Sequence, residues 1–206
     1  MRSGPEQIAL PLDWPHSNGD TRLILSAANQ AASDHFRKWT MWPVKATILT
    51  GPRRSGRSLL ARTFVERVGG RLIDGAERAD EEELFHAWNH AQDSGRPLVM
   101  ITDVVPPEWV PTLADLRTRI AVTPVTRIGL PDDALFPQLI ELLFADRGLY
   151  VPGEALRFMA ERLERDFWAA ERAVEAVDRF AIAERARVSL PTVRRALAEA
   201  NLISRE

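Results

Sequence analysis

The sequence predicts an α/β fold: a base built on a parallel sheet, followed by a small all-helical lid. Three observations lead there. Strand-like and helix-like segments alternate as far as Leu130, as in a layered α/β arrangement. One apolar, β-branched run, "VKATILT" from Val44 to Thr50, passes through a glycine-rich loop straight into a helical pattern. From Pro131 onward only helical patterns remain.

Each element has its own reason. The first dozen residues carry Pro5 and Pro11 and read as an extended tail, residues 1–13. "SAANQAASDHFRKW", Ser26 to Trp39, has helical composition, with Ser26 as a start signal and Pro43 as a stop. After the Val44 to Thr50 strand and the loop, Leu59, Leu60, Phe64, Val65 and Val68 keep one helical face. Gly69 and Gly70 interrupt it, and "RLID" forms a short strand ending at Asp74. "ADEEELFHAWNHAQDSG" has an acidic start that suits a helix dipole and a glycine stop. "PLVMIT", Pro97 to Thr102, is a second buried strand, and the breaker "VVPPEWVP" separates it from the helical piece "LADLRTRI". A short strand within "AVTPVTRIGL" completes the base, residues 14–130. Helices at Asp132 to Asp146, Pro152 to Arg162, Phe167 to Arg185 and Pro191 to Ala200 make up the lid, residues 131–206. Pro137 falls near the start of the first, where a missing N–H costs least.

Composition narrows the function classes. A formal net charge of −2 over 206 residues provides no global basic field, so direct nucleic-acid binding would need a local patch. The absence of cysteine excludes disulfides, thiolate nucleophiles and cysteine-ligated metals. No apolar run approaches the ~20 residues that cross a bilayer, and the expected location is cytoplasmic, away from membranes. His86 and His90 stand four apart on an expected helix, but no third metal ligand accompanies them. Trp14, Trp39, Trp42, Trp88, Trp109 and Trp168 are core or interface residues, with core the commoner fate.

The chemistry concentrates in "GPRRSGRSLL", which differs from the phosphate-loop pattern G-x-x-x-x-G-K-S/T by having Arg57 at the lysine position. Gly51 and Gly56 let the backbone turn several N–H groups toward one anion, and the helix that follows adds its positive end. Pro52, Arg53, Arg54, Ser55, Arg57, Ser58 and Leu59 complete the expected nucleotide-binding set. Ser58 supplies a hydroxyl for Mg2+, and Arg57 keeps a cation beside the phosphates. Its planar fork is bulkier than an ammonium, so binding is expected to survive better than hydrolysis. A hydrolase also needs a strand-end carboxylate to hold Mg2+ and a second one to activate water. Asp74 and Asp103 both end strands, neither has a neighbouring glutamate, and Asp103 ends the more apolar run.

Several stretches together resemble the DnaA-related AAA+ proteins of the Hda/HdaA type, regulatory inactivators of the replication initiator DnaA. They are "QIALPL", "GPRRSGRSLL", "DGAERADEEELFHAWNHAQDSG", "ITDVVPPEWVPTLADLRTRI" and "LPDDALFPQLIELLFADRGLYVPGEALRFMAERLERDFWAAERAVEAVDR", in the family's order. The resemblance implies an AAA+ base with a helical lid. It implies that Gln7, Ile8, Ala9, Leu10, Pro11 and Leu12 dock on the polymerase sliding clamp, with the glutamine in a polar pocket and the leucines in an apolar groove. It makes Arg119 an arginine finger acting in trans on ATP bound to DnaA, with Arg117 beside it. It assigns the Walker B position to Asp74 and makes "ITDVV" the sensor strand, with Asp103 not a magnesium ligand. Two departures stand out. Family members carry another strand and helix before the Walker B strand, so the sheet here is one strand short or "RLID" fuses two strands. The lid has Trp168 where a phosphate-reading arginine often stands, with Arg165 or Arg172 as substitutes.

The expected cofactor is ADP or ATP, with Mg2+ through Ser58 and Asp74, and a nucleotide-free protein is the alternative. Intrinsic ATPase activity is expected to be weak or absent, making the chain a regulatory adaptor rather than an enzyme. Its expected partners are the sliding clamp, DnaA, DNA through the clamp, and in one option a second copy of itself. An independent P-loop ATPase and a DNA-binding module built on "SLPTVRRALAEANL" are the competing readings.

Overall fold

The computed structural model describes residues 24–203, so the tail with Gln7 to Leu12, and Trp14, lie outside the described residues. Four strands form one parallel sheet: β1 (Ala46–Thr50), β2 (Arg71–Asp74), β3 (Leu98–Ile101) and β4 (Val125–Arg127), in the order β2-β3-β1-β4. Ala46 to Leu49 register against Leu98 to Ile101, which brings the C-terminal ends of β1 and β3 side by side. "RLID" is a single strand paired with β3, at the edge of the described sheet. Of the two sequence options, the shorter sheet is the one observed.

The period-two alternation of β1 and β3 distributes their side chains between two helical layers. Ala46, Ile48, Leu98 and Met100 pack under α3 (Glu81–Ser94) and α4 (Ala114–Val122), against Leu84, Ala87, Leu116 and Ile120. Leu49, Val99 and Ile101 face α1 (Ala27–Arg37) and α2 (Arg57–Val68), against Phe36, Leu60 and Phe64. Strands buried on both faces explain why β1 and β3 read as unbroken apolar runs. Each fully buried side chain of this size contributes about 1.5–3 kcal/mol of transfer free energy. Trp42 joins this core, stacked on His35 at 4.7 Å, whereas Trp168 is 53% exposed.

Helices α5 (Leu135–Ala145), α6 (Gly153–Arg162), α7 (Phe167–Ala183) and α8 (Leu190–Glu199) close a separate core around Phe136, Ile140, Phe144, Met159, Val174, Val177 and Leu197. Their starts follow the side chains: Asp166 accepts from the N–H groups of Trp168 and Ala169, and Ser189 from that of Thr192. Ser26 caps α1 in a reciprocal pair with Asn29, and Asp80 caps α3. Such caps are worth about 1 kcal/mol each. In α8, Val193 and Leu197 are buried and Arg194 and Arg195 exposed, so "SLPTVRRALAEANL" serves as the last lid helix. No helix of the described residues is long and apolar enough to cross a membrane.

Candidate functional site

The loop between β1 and α2 sits where β1 and β3 end together. Gly51 has φ of 157°, and a Cβ there would lie 2.8 Å from the carbonyl oxygen of Ile128, so only glycine fits beside the end of β4. Gly56, in the left-handed region at φ 82°, begins α2 with no side-chain cap. Arg54 also adopts positive φ, 66°, which costs a non-glycine residue about 1–3 kcal/mol. The hydroxyls of Ser55 and Thr102 are buried without a hydrogen-bond partner, one in the loop and one just past β3. Arg53, Arg54, Gly56, Arg57, Ser58, Leu59, Arg78 and Asp103 line a cleft of about 500 Å3.

Arg57 is committed to the protein itself. Its Nη1 donates to the carbonyl oxygens of Gly51 and Thr102, both at 3.1 Å, and its Nη2 donates to the Asp103 carboxylate. Arg53 and Arg78 approach the other oxygen of Asp103 at 3.7 Å. The hydrogen bond from Arg57, aided by these charges, holds the Asp103 carboxyl below the usual aspartate range. Arg54 pairs at 3.0 Å with Glu171 on α7, so the lid reaches the loop through an acid. Every arginine lining the cleft therefore faces a carboxylate of the same chain.

Ser58 Oγ donates to Asp74 Oδ2 at 2.7 Å, which brings together the two groups singled out for Mg2+. Gly75, next to Asp74, has φ of 71°. A glutamate there would be strained, a physical reason why the strand end carries no second carboxylate. The residues present fit a nucleoside phosphate. The uncapped start of α2 and four guanidinium groups line one cleft, and the buried, unpartnered hydroxyl of Ser55 belongs to the same loop. Among the described residues, no group of three or more acidic or histidine side chains is arranged to hold a metal ion by itself.

Arg119 lies elsewhere. It belongs to the last turn of α4, the helix that delivers the chain to the start of β4, toward the N-terminal ends of the strands and away from the loop. Its Nε donates to Asn89 Oδ1 at 2.9 Å and its Nη1 to the carbonyl oxygen of Asp115 at 3.1 Å. The guanidinium lies 4.4 Å from the Phe85 ring centroid and 5.4 Å from that of Trp88. Arg117 donates to the carbonyl oxygens of Pro111 and Thr112. Glu81 anchors the start of the same helix, accepting from the N–H groups of Thr112 and Leu113, which lower its pKa.

Neither lid arginine lines the cleft. Arg172 stacks on Trp168 at 4.7 Å, and Arg165 pairs with Asp133. Arg78 and Glu171 were not legible as site residues. Nothing in "AER" or "AAER" distinguishes them from solvated helix charges.

The comparisons with known proteins agree with this architecture. No protein-family model matches the chain. It is 26% identical over 118 residues to the chromosomal replication initiator protein DnaA of Caldanaerobacter subterraneus subsp. tengcongensis, covering 57% of this chain and 26% of that protein. It is 30% identical over 107 residues to DnaA of Thermomicrobium roseum, covering 52% and 23%. The chain thus spans about a quarter of the length of the curated relatives it matches. Among solved structures, domain III of Thermotoga maritima DnaA superimposes with a TM-score of 0.72 at 16% identity, over 89% of this chain and 95% of that one. The Holliday junction branch migration motor RuvB of Thermotoga maritima gives 0.60 at 14%, over 84% and 67%. DnaA bound to AMPPCP and single-stranded DNA gives 0.57 at 13%, over 79% and 66%. At such identities these structures speak for the fold, which is similar to that of DnaA domain III, and over a little more than half of its length the chain is similar in sequence to part of the replication initiator DnaA.

Proposed function

We propose that this protein is a negative regulator of replication initiation, an adaptor that presents Arg119 to ATP bound on DnaA. The observation that carries the reading is the state of Arg119. Its guanidinium is ordered by two aromatic faces, a neutral amide and a carbonyl, and among the described residues no carboxylate neutralises it. Of its five N–H groups these bonds occupy two, so donors remain for an incoming phosphoryl oxygen. A preorganised cation of this kind stabilises charge developing in phosphoryl transfer, and arginine fingers are worth about 10^3–10^5 in rate.

The loop supports the adaptor reading from the other side. Its arginine is tied to Asp103 and two carbonyls, and Gly75 stands where a water-activating carboxylate would be useful. Bound nucleotide, ADP or ATP, would rest on the loop amides with Mg2+ at Ser58 and Asp74, and it would supply phosphate charge that orders loop and lid. Gln7 to Leu12 would tether the protein to the sliding clamp and raise its local concentration near replicating DNA. The test is hydrolysis of DnaA-bound ATP with clamp loaded on DNA. The wild type is expected to stimulate it, and both Arg119→Ala and a Gln7→Ala/Leu10→Ala/Leu12→Ala variant to lose the effect. A folded wild type that does not stimulate hydrolysis would end the adaptor reading.

A further inference from the structure

We propose that the lid carries a DNA-contacting surface: arginines of the turn between α7 and α8 and of the outer face of α8 hold the phosphate backbone of a duplex, without reading its sequence. The inference rests neither on the β1 to α2 cleft nor on Arg119. The first turns of α7 reach that cleft through Glu171, and the arginine surface begins past the other end of the helix, about 20 Å further along. The whole chain has a formal net charge of −2, yet from Arg179 to Arg195 it carries five arginines and a single acid, Glu184. Arg185, Arg187, Arg194 and Arg195 are all exposed. The local basic patch that nucleic-acid binding requires of such a chain is therefore present.

These side chains stand on a fixed frame. Arg185 ends α7 at φ 50°, a left-handed position that glycine or asparagine usually fills. Thr192 Oγ1 donates to the Arg187 carbonyl oxygen at 2.9 Å and Ser189 caps α8, which ties the turn to the helix. The Arg194 guanidinium lies 5.0 Å from the ring centroid of Phe158 on α6, and that of Arg162 lies 4.3 Å from the same centroid, so α6 and α8 bring two cations to one ring. Arg195 leans on Phe180 at 4.9 Å and approaches Glu184 at 3.8 Å, while Glu161 approaches Arg162 at 3.7 Å. Among the described residues, Arg185, Arg187 and Arg194 pair with no carboxylate. Uncompensated guanidinium forks suit phosphate oxygens, and phosphate contacts carry no sequence information. Phe158 is buried and Phe180 lies beneath Arg195, so neither ring offers an open face to an unpaired base, and a duplex fits better than a single strand.

Fluorescence anisotropy of the full chain with a short labelled DNA duplex of mixed sequence, over a salt series, tests it. The wild type is expected to bind with a dissociation constant on the order of 10^-5 M at low salt, and the logarithm of its affinity to fall against that of salt with a slope of about −3. Arg185→Ala/Arg187→Ala/Arg194→Ala is expected to weaken binding about tenfold or more and to flatten the slope by about one for each arginine. Lysine at the same three positions, which keeps the charges, should bind within about threefold of wild type. Arg62→Ala/Arg67→Ala/Arg96→Ala removes the same charge from exposed positions of the base and should bind as wild type does. Should the lid alanine variant not fold, Arg194→Glu decides, with a loss of about tenfold expected and an unchanged affinity overturning the proposal. No salt-dependent binding by the wild type, or an equal loss in the two alanine variants, also overturns it. So does tighter binding to a single strand of the same length, or to phosphatidylglycerol vesicles, than to the duplex.

Discussion

Two groups of arginines in this molecule meet opposite surroundings. At the loop, Arg53, Arg54, Arg57 and Arg78 all face carboxylates, from Asp103 and from Glu171 on the lid. On the α3 and α4 surface, Arg119 is held as firmly but by neutral groups, the Asn89 amide, a backbone carbonyl and two ring faces. Both arrangements fix a guanidinium in space. Only the second leaves its field uncompensated, because aromatic faces attract a cation without neutralising it. A motif position alone therefore does not say whether an arginine acts on a phosphate; the charge of what holds it does.

The largest effect should come from deleting the uncompensated cation. Arg119→Ala is expected to lower stimulated hydrolysis of DnaA-bound ATP by about 10^3 or more, and Arg119→Lys, which loses the planar fork, should not restore it. Next comes Arg57→Ala, which strands Asp103 and two carbonyl oxygens in a half-buried site. A loss of about 2 kcal/mol is expected, seen as a melting temperature lower by roughly 4–8 °C. An unchanged melting temperature would show that the loop pairing is not part of the fold's own cohesion. Smaller again is Asn89→Asp, which leaves Arg119 in place and gives it a carboxylate partner like those at the loop. Stimulated hydrolysis should fall about tenfold, the rate equivalent of roughly 1.4 kcal/mol, with clamp binding unchanged. Full activity in Asn89→Asp would break the comparison, since compensation would then be irrelevant.

Local signals carried much of this architecture in the sequence, and long-range ones did not. The apolar runs of β1 and β3, the Ser26 start and the glycine punctuation at Gly69 and Gly95 are properties of a few adjacent residues, and each coincides with an element boundary. The pairing of Ser58 with Asp74 follows the family resemblance and not the local pattern, which left two strand-end acids and favoured Asp103. The pairing of Arg57 with Asp103 was not inferable, because it depends on β3 lying beside β1 in a sheet whose order is not the chain order. The same holds for Arg54 with Glu171, which joins base to lid, and for Asn89, which reads as one more polar position on an exposed helix. The absence of a glutamate after Asp74 was plain in "RLIDG", but its cause, a left-handed backbone at Gly75, is a three-dimensional fact.

The smallest predicted effect separates the two regions by pH. Asp103 is kept ionised chiefly by the hydrogen bond from Arg57, so its folded pKa lies below the unfolded value of about 3.9. A carboxyl depressed in this way contributes stability that is present above the unfolded pKa and lost as pH falls through the folded one. Melting temperatures of wild type and Asp103→Asn should therefore differ from pH 5 to 7, with the wild type higher, and converge as pH is lowered below about 4. Glu81 has the same sign, but its carboxylate is held mainly by the N–H groups of Thr112 and Leu113. Added salt should consequently shrink the Asp103 difference, which includes the 3.7 Å approaches of Arg53 and Arg78, more than the corresponding difference for Glu81→Gln. A wild-type advantage over Asp103→Asn that persists undiminished at pH 3 would mean that the loop is held by packing, and that its arginines are no more compensated than Arg119.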